Sequence, residues 1–403
     1  MHATHQVRIW ERGSGLLDSV GGATPDAPWV PAAITFIIAT TFVVLRLERI
    51  GAGNISAFVV AGSHSVDAAT DPNHLLIGSR AGYDGQFYYR LALAPWDLSR
   101  TAFGVTIDVP LRLQRIGYPA IAWLMAIGHR QWVPYSLVAV NVIALSLLGL
   151  FSGLWARSLG RHALWGLLPA GYFGLEYSLA RDLTEITAAC FMVAGIVSIR
   201  SSRPMLAAAA LSGAVLSRET TLVLVVALLL ARVDDAVRRK ERPSRVDVAW
   251  LVPLLVFGAW QVTVRITTGV FPLSSDRGSN LSLPFVAIVR AVGTWSHQTF
   301  RIELIGYVSL LSLGAVVVLA VFSLGRTTAL RFEQIAFCLA LLMTVLLSSN
   351  VWNADPVEFR TFTELWILGC GVILGRSGGR LAVPAILACL AWLLVAAWKV
   401  TSI

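Results

Sequence analysis

Asp84 lies in the stretch Gly82-Tyr83-Asp84-Gly85-Gln86-Phe87-Tyr88-Tyr89-Arg90, with glycine on both sides and an aromatic run behind it. Glycine permits a tight turn and lets a ligand approach the backbone closely. A carboxylate at a helix start, beside a membrane, suits removal of a proton from a sugar hydroxyl. The aromatic residues suit a boundary where sugar rings and a lipid tail meet. Three further groups of ionisable residues stand out: Arg181, Asp182 and Glu185; Arg218 and Glu219; and Asp355, Glu358 and Arg360. Each has a plain structural reading. Asp84 is placed to cap a helix, and Asp182 and Glu185 to cap and open another. Arg218 and Glu219 are placed as an ion pair, and Arg360 as an interfacial anchor.

The elements that position these residues follow from composition. The 403 residues are 56% hydrophobic and 14% charged, with mean hydropathy +0.70. Soluble domains carry roughly 25% charged residues, so this chain uses lipid as its solvent. Its apolar runs do not alternate, and each is about 17 to 25 residues or somewhat shorter, which predicts helices rather than a barrel. The expectation is an all-α, polytopic transmembrane helical bundle of about 11 spans. They are placed near 30–47, 134–155, 163–180, 185–200, 204–217, 219–233, 248–266, 302–324, 333–350, 360–375 and 381–399.

Residues 1–28 read as a flexible cytoplasmic tail and 29–403 as a single transmembrane domain. Within it, 48–133 reads as an extracytoplasmic loop carrying interfacial helices at Gln86–Trp96 and Ile116–Ile127. A similar piece, Leu283–Trp295, is expected in the loop 267–301. Short arginine-rich connections place the N-terminus in the cytoplasm of a multi-pass plasma-membrane protein. The strongest is Arg238-Arg239-Lys240-Glu241-Arg242. Keeping that cluster inside requires a turn at Ser217-Arg218-Glu219. The turn lies below the outer surface, because 14 residues of helix reach only about 21 Å.

The net charge of +9 is almost wholly arginine, since Lys240 and Lys399 are the only lysines. Those arginines sit in short loops, so they act as orientation signals and headgroup contacts; nucleic acid is not an expected partner. Cys190, Cys338, Cys370 and Cys389 lie in apolar runs without metal spacing and read as small buried hydrophobes. The span interiors carry few ionisable groups, whereas pumps hold them at mid-membrane. Chemistry is therefore expected at the outer surface.

The run Tyr-Asp-Gly-Gln-Phe-Tyr-Tyr-Arg-Leu-Ala from Tyr83 resembles the first-loop acidic motif of the GT-C superfamily, multi-span glycosyltransferases that use polyprenyl-phosphate sugars. The resemblance extends to Gln114–Pro119, Arg181–Glu185 and Ser217–Thr220, and covers the N-terminal 230 residues; beyond them only the span pattern is shared. Gly85 stands where the superfamily more often has a second acid.

The resemblance implies a membrane-lipid donor, a polyprenyl-phosphate sugar, and a glycan or lipid acceptor of the cell envelope. Asp84 and Asp182 would be catalytic, with Asp84 as general base and inversion at the anomeric carbon. Tyr83, Gln86, Tyr88, Arg90, Arg181, Glu185, Arg218, Glu219 and Arg360 would bind substrate, and Arg218 leads for the phosphate. Asp182 and Glu185 could also hold a divalent cation, but no metal is assigned. Two other readings compete. A lipid-linked glycan flippase should show paired repeats and mid-span polar groups, and neither is present. A surface-polysaccharide ligase would share the donor without needing Asp84.

Overall fold

The computed structural model describes residues 26–78, 81–239, 245–275, 280–295, 298–352, 359–378 and 381–402. Most of the N-terminal tail, Lys240–Arg242 of the basic cluster, and Asp355 with Glu358 lie outside the described residues.

The described chain is mostly helical. The principal helices are α1 (Trp29–Arg49), α2 (Gly85–Leu93), α3 (Gly117–Met125), α4 (Val133–Ser158), α5 (Phe173–Leu179), α6 (Glu185–Arg200) and α7 (Pro204–Ser217). They continue with α8 (Leu222–Arg239), α9 (Val252–Thr268), α10 (Val286–Trp295), α11 (Phe300–Ser323), α12 (Arg331–Leu346), α13 (Thr363–Leu374) and α14 (Ala382–Lys399). Among the described residues, five helical segments are long and apolar enough to cross a membrane: α1, α4, α9, α11 and α14, with the turns leading into α4 and α9 included. They expose large apolar side chains, such as Ile37 on α1, Leu255 on α9 and Phe322 on α11. Such exposure suits a lipid solvent better than water.

The other six predicted segments form shorter or more charged helices. The segment 163–180 is interrupted: a 3-10 turn, one turn of helix and then α5 follow one another, with Gly171 and Tyr172 outside helix. Helix α13 has 12 residues, all buried. At 1.5 Å per residue it reaches roughly 18 Å, and it forms the bundle's centre, flanked by α11 and α12. The break at Ser217-Arg218-Glu219 is present: α7 stops, Arg218 is extended (φ −158°, ψ 123°), and α8 begins at Leu222.

On the side of the bundle away from this break, Arg200 closes α6 onto the start of α12. Its Nε and Nη2 reach the two oxygens of buried Glu333, each at 2.7 Å. Trp155 of α4 donates to the same carboxylate at 3.1 Å. A bidentate pair with further donors is the geometry that lets a buried ion pair offset its desolvation.

The loop 48–133 is a folded body with its own apolar core. Val59, Phe87, Leu91, Leu113 and Ile116 pack together and onto Leu137 and Val140 of α4. The expected interfacial helix Gln86–Trp96 is corrected here. Helix α2 forms, but all nine of its residues are buried, so it is the centre of the loop's core. Helix α3 does keep an outward apolar edge, with Leu124 and Met125 exposed. Of the cysteines, Cys190 and Cys370 are buried, whereas Cys338 and Cys389 are exposed on apolar helices.

Candidate active site

Asp84 precedes α2, yet its carboxylate makes no capping hydrogen bond to that helix. It faces two guanidinium groups instead. Arg112 Nη1 lies 2.9 Å from Oδ1, and Arg360 Nη2 lies 3.2 Å from Oδ2. The helix-cap reading of Asp84 is therefore not what the carboxylate does.

From Asp84 the charges alternate into the bundle. Arg360 Nη1 reaches Glu185 Oε1 at 2.5 Å, and the same oxygen lies 2.7 Å from Arg218 Nη1. Arg218 Nε continues to Glu364 Oε1 at 3.4 Å and to Thr220 Oγ1 at 2.9 Å. The Thr220 hydroxyl in turn donates to Glu364 at 2.6 Å. Beside this chain, Arg115 holds Glu219 in a bidentate pair (2.9 and 2.6 Å) and donates to the Tyr88 hydroxyl at 3.1 Å. Four arginines face four carboxylates, and access is graded. The Arg112 side chain is 23% exposed and Asp84 11%, whereas Glu185 is fully buried and Arg218 and Glu364 are each 3% exposed. The network opens to the surface at Arg112 and ends dry.

Five stretches of chain meet to build it. Arg112 and Arg115 flank the end of the 3-10 turn Pro110–Gln114. Glu185 is the first residue of α6, and Glu364 lies in the first turn of α13, where the helix dipole favours an acid. Arg360 sits in the 3-10 turn Phe359–Phe362. Arg218 occupies the break between α7 and α8.

Two glycines allow the stretches to close. A Cβ on Gly117 would stand 2.5 Å from Ser217 Oγ, and one on Gly85 would stand 2.3 Å from the Arg181 carbonyl oxygen and 2.7 Å from that of Val59. Both atoms facing Gly85 are backbone and cannot swing away. Gly85→Ala is expected to cost about 1 to 3 kcal/mol, read as a lower thermal midpoint in detergent, and to displace Asp84 from its arginines.

No family model, curated protein or solved structure matches this chain. The site is therefore read from its own geometry.

Of the expected site residues, Tyr83, Asp84, Tyr88, Glu185, Arg218, Glu219 and Arg360 come together. The Tyr83 hydroxyl accepts from Arg360 Nε at 3.1 Å, and its ring lies under Arg181 at 4.1 Å. Arg181 also lies over Tyr177 and donates to that hydroxyl, so it flanks the network through Tyr83. Gln86 and Arg90 are turned elsewhere. Gln86 accepts from Gly62 N and donates to the Ala81 carbonyl, bracing the loop. Arg90 is buried and gathers Asp97 and the Ser99 carbonyl.

Asp182 is fully buried in left-handed backbone (φ 49°). Its carboxylate belongs to a separate environment beside Tyr118 and Arg46. The Tyr118 hydroxyl donates to the Leu137 carbonyl at 2.9 Å, and neither Asp182 oxygen has a hydrogen-bond partner. Burial raises its pKa well above the carboxylate range, and Arg46 offsets this only in part.

Arg112 and Glu364 were not singled out in the sequence. Arg115 lies in the stretch Gln114–Pro119, where its spacing points to no particular role. The available signals were local: Arg112 and Arg115 are three residues apart after Pro110, and Glu364 follows Arg360 by four. Among the described residues, no group of three or more His, Cys, Asp or Glu side chains is placed to hold a metal ion.

Electrostatics separate the two acids expected to be catalytic. Burial raises the Asp84 pKa, but Arg112 and Arg360 outweigh it and hold the carboxyl below its ordinary range. Burial lowers the Arg112 pKa, but Asp84, Tyr88 and Asp108 together outweigh it and hold the guanidinium above its ordinary range. Asp84 is an ionised acceptor at neutral pH, whereas burial disfavours the charged form of Asp182.

Proposed function

We propose that this protein is a multi-pass membrane glycosyltransferase with a cytoplasmic N-terminus. It moves a sugar from a polyprenyl-phosphate donor to an acceptor at the extracytoplasmic face, with Asp84 as general base. The interrupted segment 163–180 and the shorter helices α6, α7, α8, α12 and α13 complete the crossing with the five long ones, giving about 11 spans. The observation that carries the reading is the release of Asp84 from helix capping into a chain of partly buried guanidinium groups. An acceptor oxygen beside Asp84 finds an ionised carboxylate. A leaving phosphate finds arginines in a partly dry site, where charge stabilisation is strongest.

Every guanidinium of the network already faces a carboxylate, so an incoming phosphate must take one from a carboxylate. Arg360 is the natural one to yield, because it is shared between Asp84 and Glu185. A phosphate on Arg360 leaves Asp84 with one counter-charge fewer, and its proton affinity rises as the acceptor arrives. The attacking hydroxyl gives its proton to Asp84, its oxygen bonds to the anomeric carbon, and the phosphate departs with the bonding pair. One displacement inverts the configuration.

This predicts a split pH profile. In the free protein the pKa of Asp84 is depressed, so the active ionised form persists as pH falls. For the donor, kcat/KM should stay level from pH 8 to about 5, with its acidic limb below about 4, the ordinary carboxylate value. The limb of kcat should lie at higher pH, because bound donor has drawn Arg360 away. Coincident limbs would refute release of the base by the donor.

Proteoliposomes supplied with radiolabelled polyprenyl-phosphate sugar and acceptor test the reading itself. Labelled product and free polyprenyl phosphate are the expected outcome. Donor that crosses the bilayer without any transfer would favour a flippase.

A further inference from the structure

Outside the charge network, the first loop and α9 enclose a cavity of about 790 Å³. One wall is the loop from Trp96 to Asp108, and the other is the C-terminal end of α9 at Thr267 and Thr268. We propose that this cleft seats the sugar acceptor, a neutral, hydroxyl-rich glycan chain. The proposal rests on the transferase reading given above.

Three observations carry it. The first is Trp96, 67% exposed at the cleft and set edge-on against Trp123, with ring centroids 4.9 Å apart and planes at 86°. A large aromatic held rigid yet left open offers a flat apolar surface to the C–H face of a sugar. The second is the polar lining: beside Arg100 it consists of the short side chains of Asp97, Ser99, Asp108, Thr267 and Thr268, which suit hydroxyl groups. The Asp97 carboxylate is fixed by Ser99 N (3.0 Å), Ser99 Oγ (2.6 Å) and Arg90 Nη2 (3.3 Å), all on Oδ1. Its Oδ2 is the oxygen left for a ligand. This makes Arg90 a positioning residue for the cleft. An acceptor arm held in advance costs less to order when ligand binds. The volume falls within the usual range for ligand sites, about 300 to 1,000 Å³.

The third observation is the connection to Asp84. Asp108, on the cleft wall, faces Arg112 through Oδ1 to Nε (3.3 Å) and Oδ2 to Nη2 (3.4 Å). The remaining nitrogen of the same guanidinium, Nη1, is the one 2.9 Å from Asp84 Oδ1. A single planar group therefore separates the cleft from the proposed base. A glycan lying along Trp96 with its terminal hydroxyl at Arg112 would present that hydroxyl to Asp84. The lining favours a neutral chain over an acidic one: Asp97 and Asp108 outnumber its one cation, Arg100, and Arg112 behind it is already turned between two carboxylates.

Two measurements test this. In transfer assays, Trp96→Ala should raise the acceptor KM about tenfold and leave the donor KM unchanged, and Trp96→Phe should recover most of the loss. A change confined to the donor KM would overturn the assignment. The second measurement needs no catalysis. Full-length protein in nanodiscs, without donor, is probed by saturation-transfer NMR against neutral gluco-, manno- and galacto-oligosaccharides. Contact signals in the unmodified protein that vanish in Trp96→Ala, at an unchanged thermal midpoint, support the cleft. No signal, or equal signal in both, overturns it. Because this arm is independent of turnover, a protein that binds glycan yet transfers nothing would refute the transferase reading and leave the cleft standing.

Discussion

Asp84→Asn is expected to lower sugar transfer by about 10²- to 10⁴-fold, the usual contribution of a positioned general base, while the protein still folds and inserts. The amide keeps the shape of the side chain and can still accept a hydrogen bond from Arg112 or Arg360. It cannot take a proton from an attacking hydroxyl at neutral pH. Removing this carboxylate also frees two guanidinium groups from an anionic partner. The donor phosphate then meets less competition, so the donor KM should stay level or fall. A fall in kcat together with an unchanged or lower KM separates a lost base from a damaged site. A general loss of folding would instead raise KM or reduce the amount of folded protein.

Glu185→Ala should produce the largest loss of stability. Glu185 is fully buried, and its Oε1 faces Arg218 at 2.7 Å and Arg360 at 2.5 Å. Deleting one partner of a buried pair leaves uncompensated charge, at a cost of about 3 to 5 kcal/mol. Here two guanidinium groups would be stranded. Water can reach Arg360, which is 12% exposed, more readily than Arg218, which is 3% exposed. The expected result is a marked drop in thermal midpoint in detergent, with Glu185→Gln intermediate because its amide oxygen still accepts hydrogen bonds. Chloride or phosphate at high concentration should recover part of the loss by occupying the vacated position. An unchanged midpoint would mean that the carboxylate neutralises nothing.

The apolar runs, read with the shortage of charge, were enough to locate every long helix, because a lipid-facing helix must be apolar along its length. The break at Ser217-Arg218-Glu219 was legible for the same reason: an arginine and a glutamate in adjacent positions cannot sit mid-span without protein around them. That Asp84, Glu185, Arg218 and Arg360 share one site was an expectation from chain order and sidedness, and their ion pairs join them.

The failures have a common cause. Gln86 and Arg90 fall in the motif around Asp84, but α2 is buried on every side. Their polar groups therefore turn to partners within the loop, and Gly62, Ala81, Asp97 and Ser99 meet all but Arg90 Nε. Nothing in the local spacing reveals a core that gathers residues from Val59 to Val140. Arg112 was missed for the converse reason: it lies in a short 3-10 turn whose partners come from elsewhere in the chain. Asp182 and Glu185, three residues apart, part company because the left-handed backbone at Asp182 turns one inward beside Tyr118, while the other opens α6.

The most direct test of the central claim is the anomeric configuration and rate of product formed by purified protein in proteoliposomes, followed by NMR of the anomeric proton. Protein with Asp84 should yield product of inverted configuration, and Asp84→Asn prepared in parallel should yield almost none. Transfer undiminished in the variant, or product with retained configuration, would contradict the account.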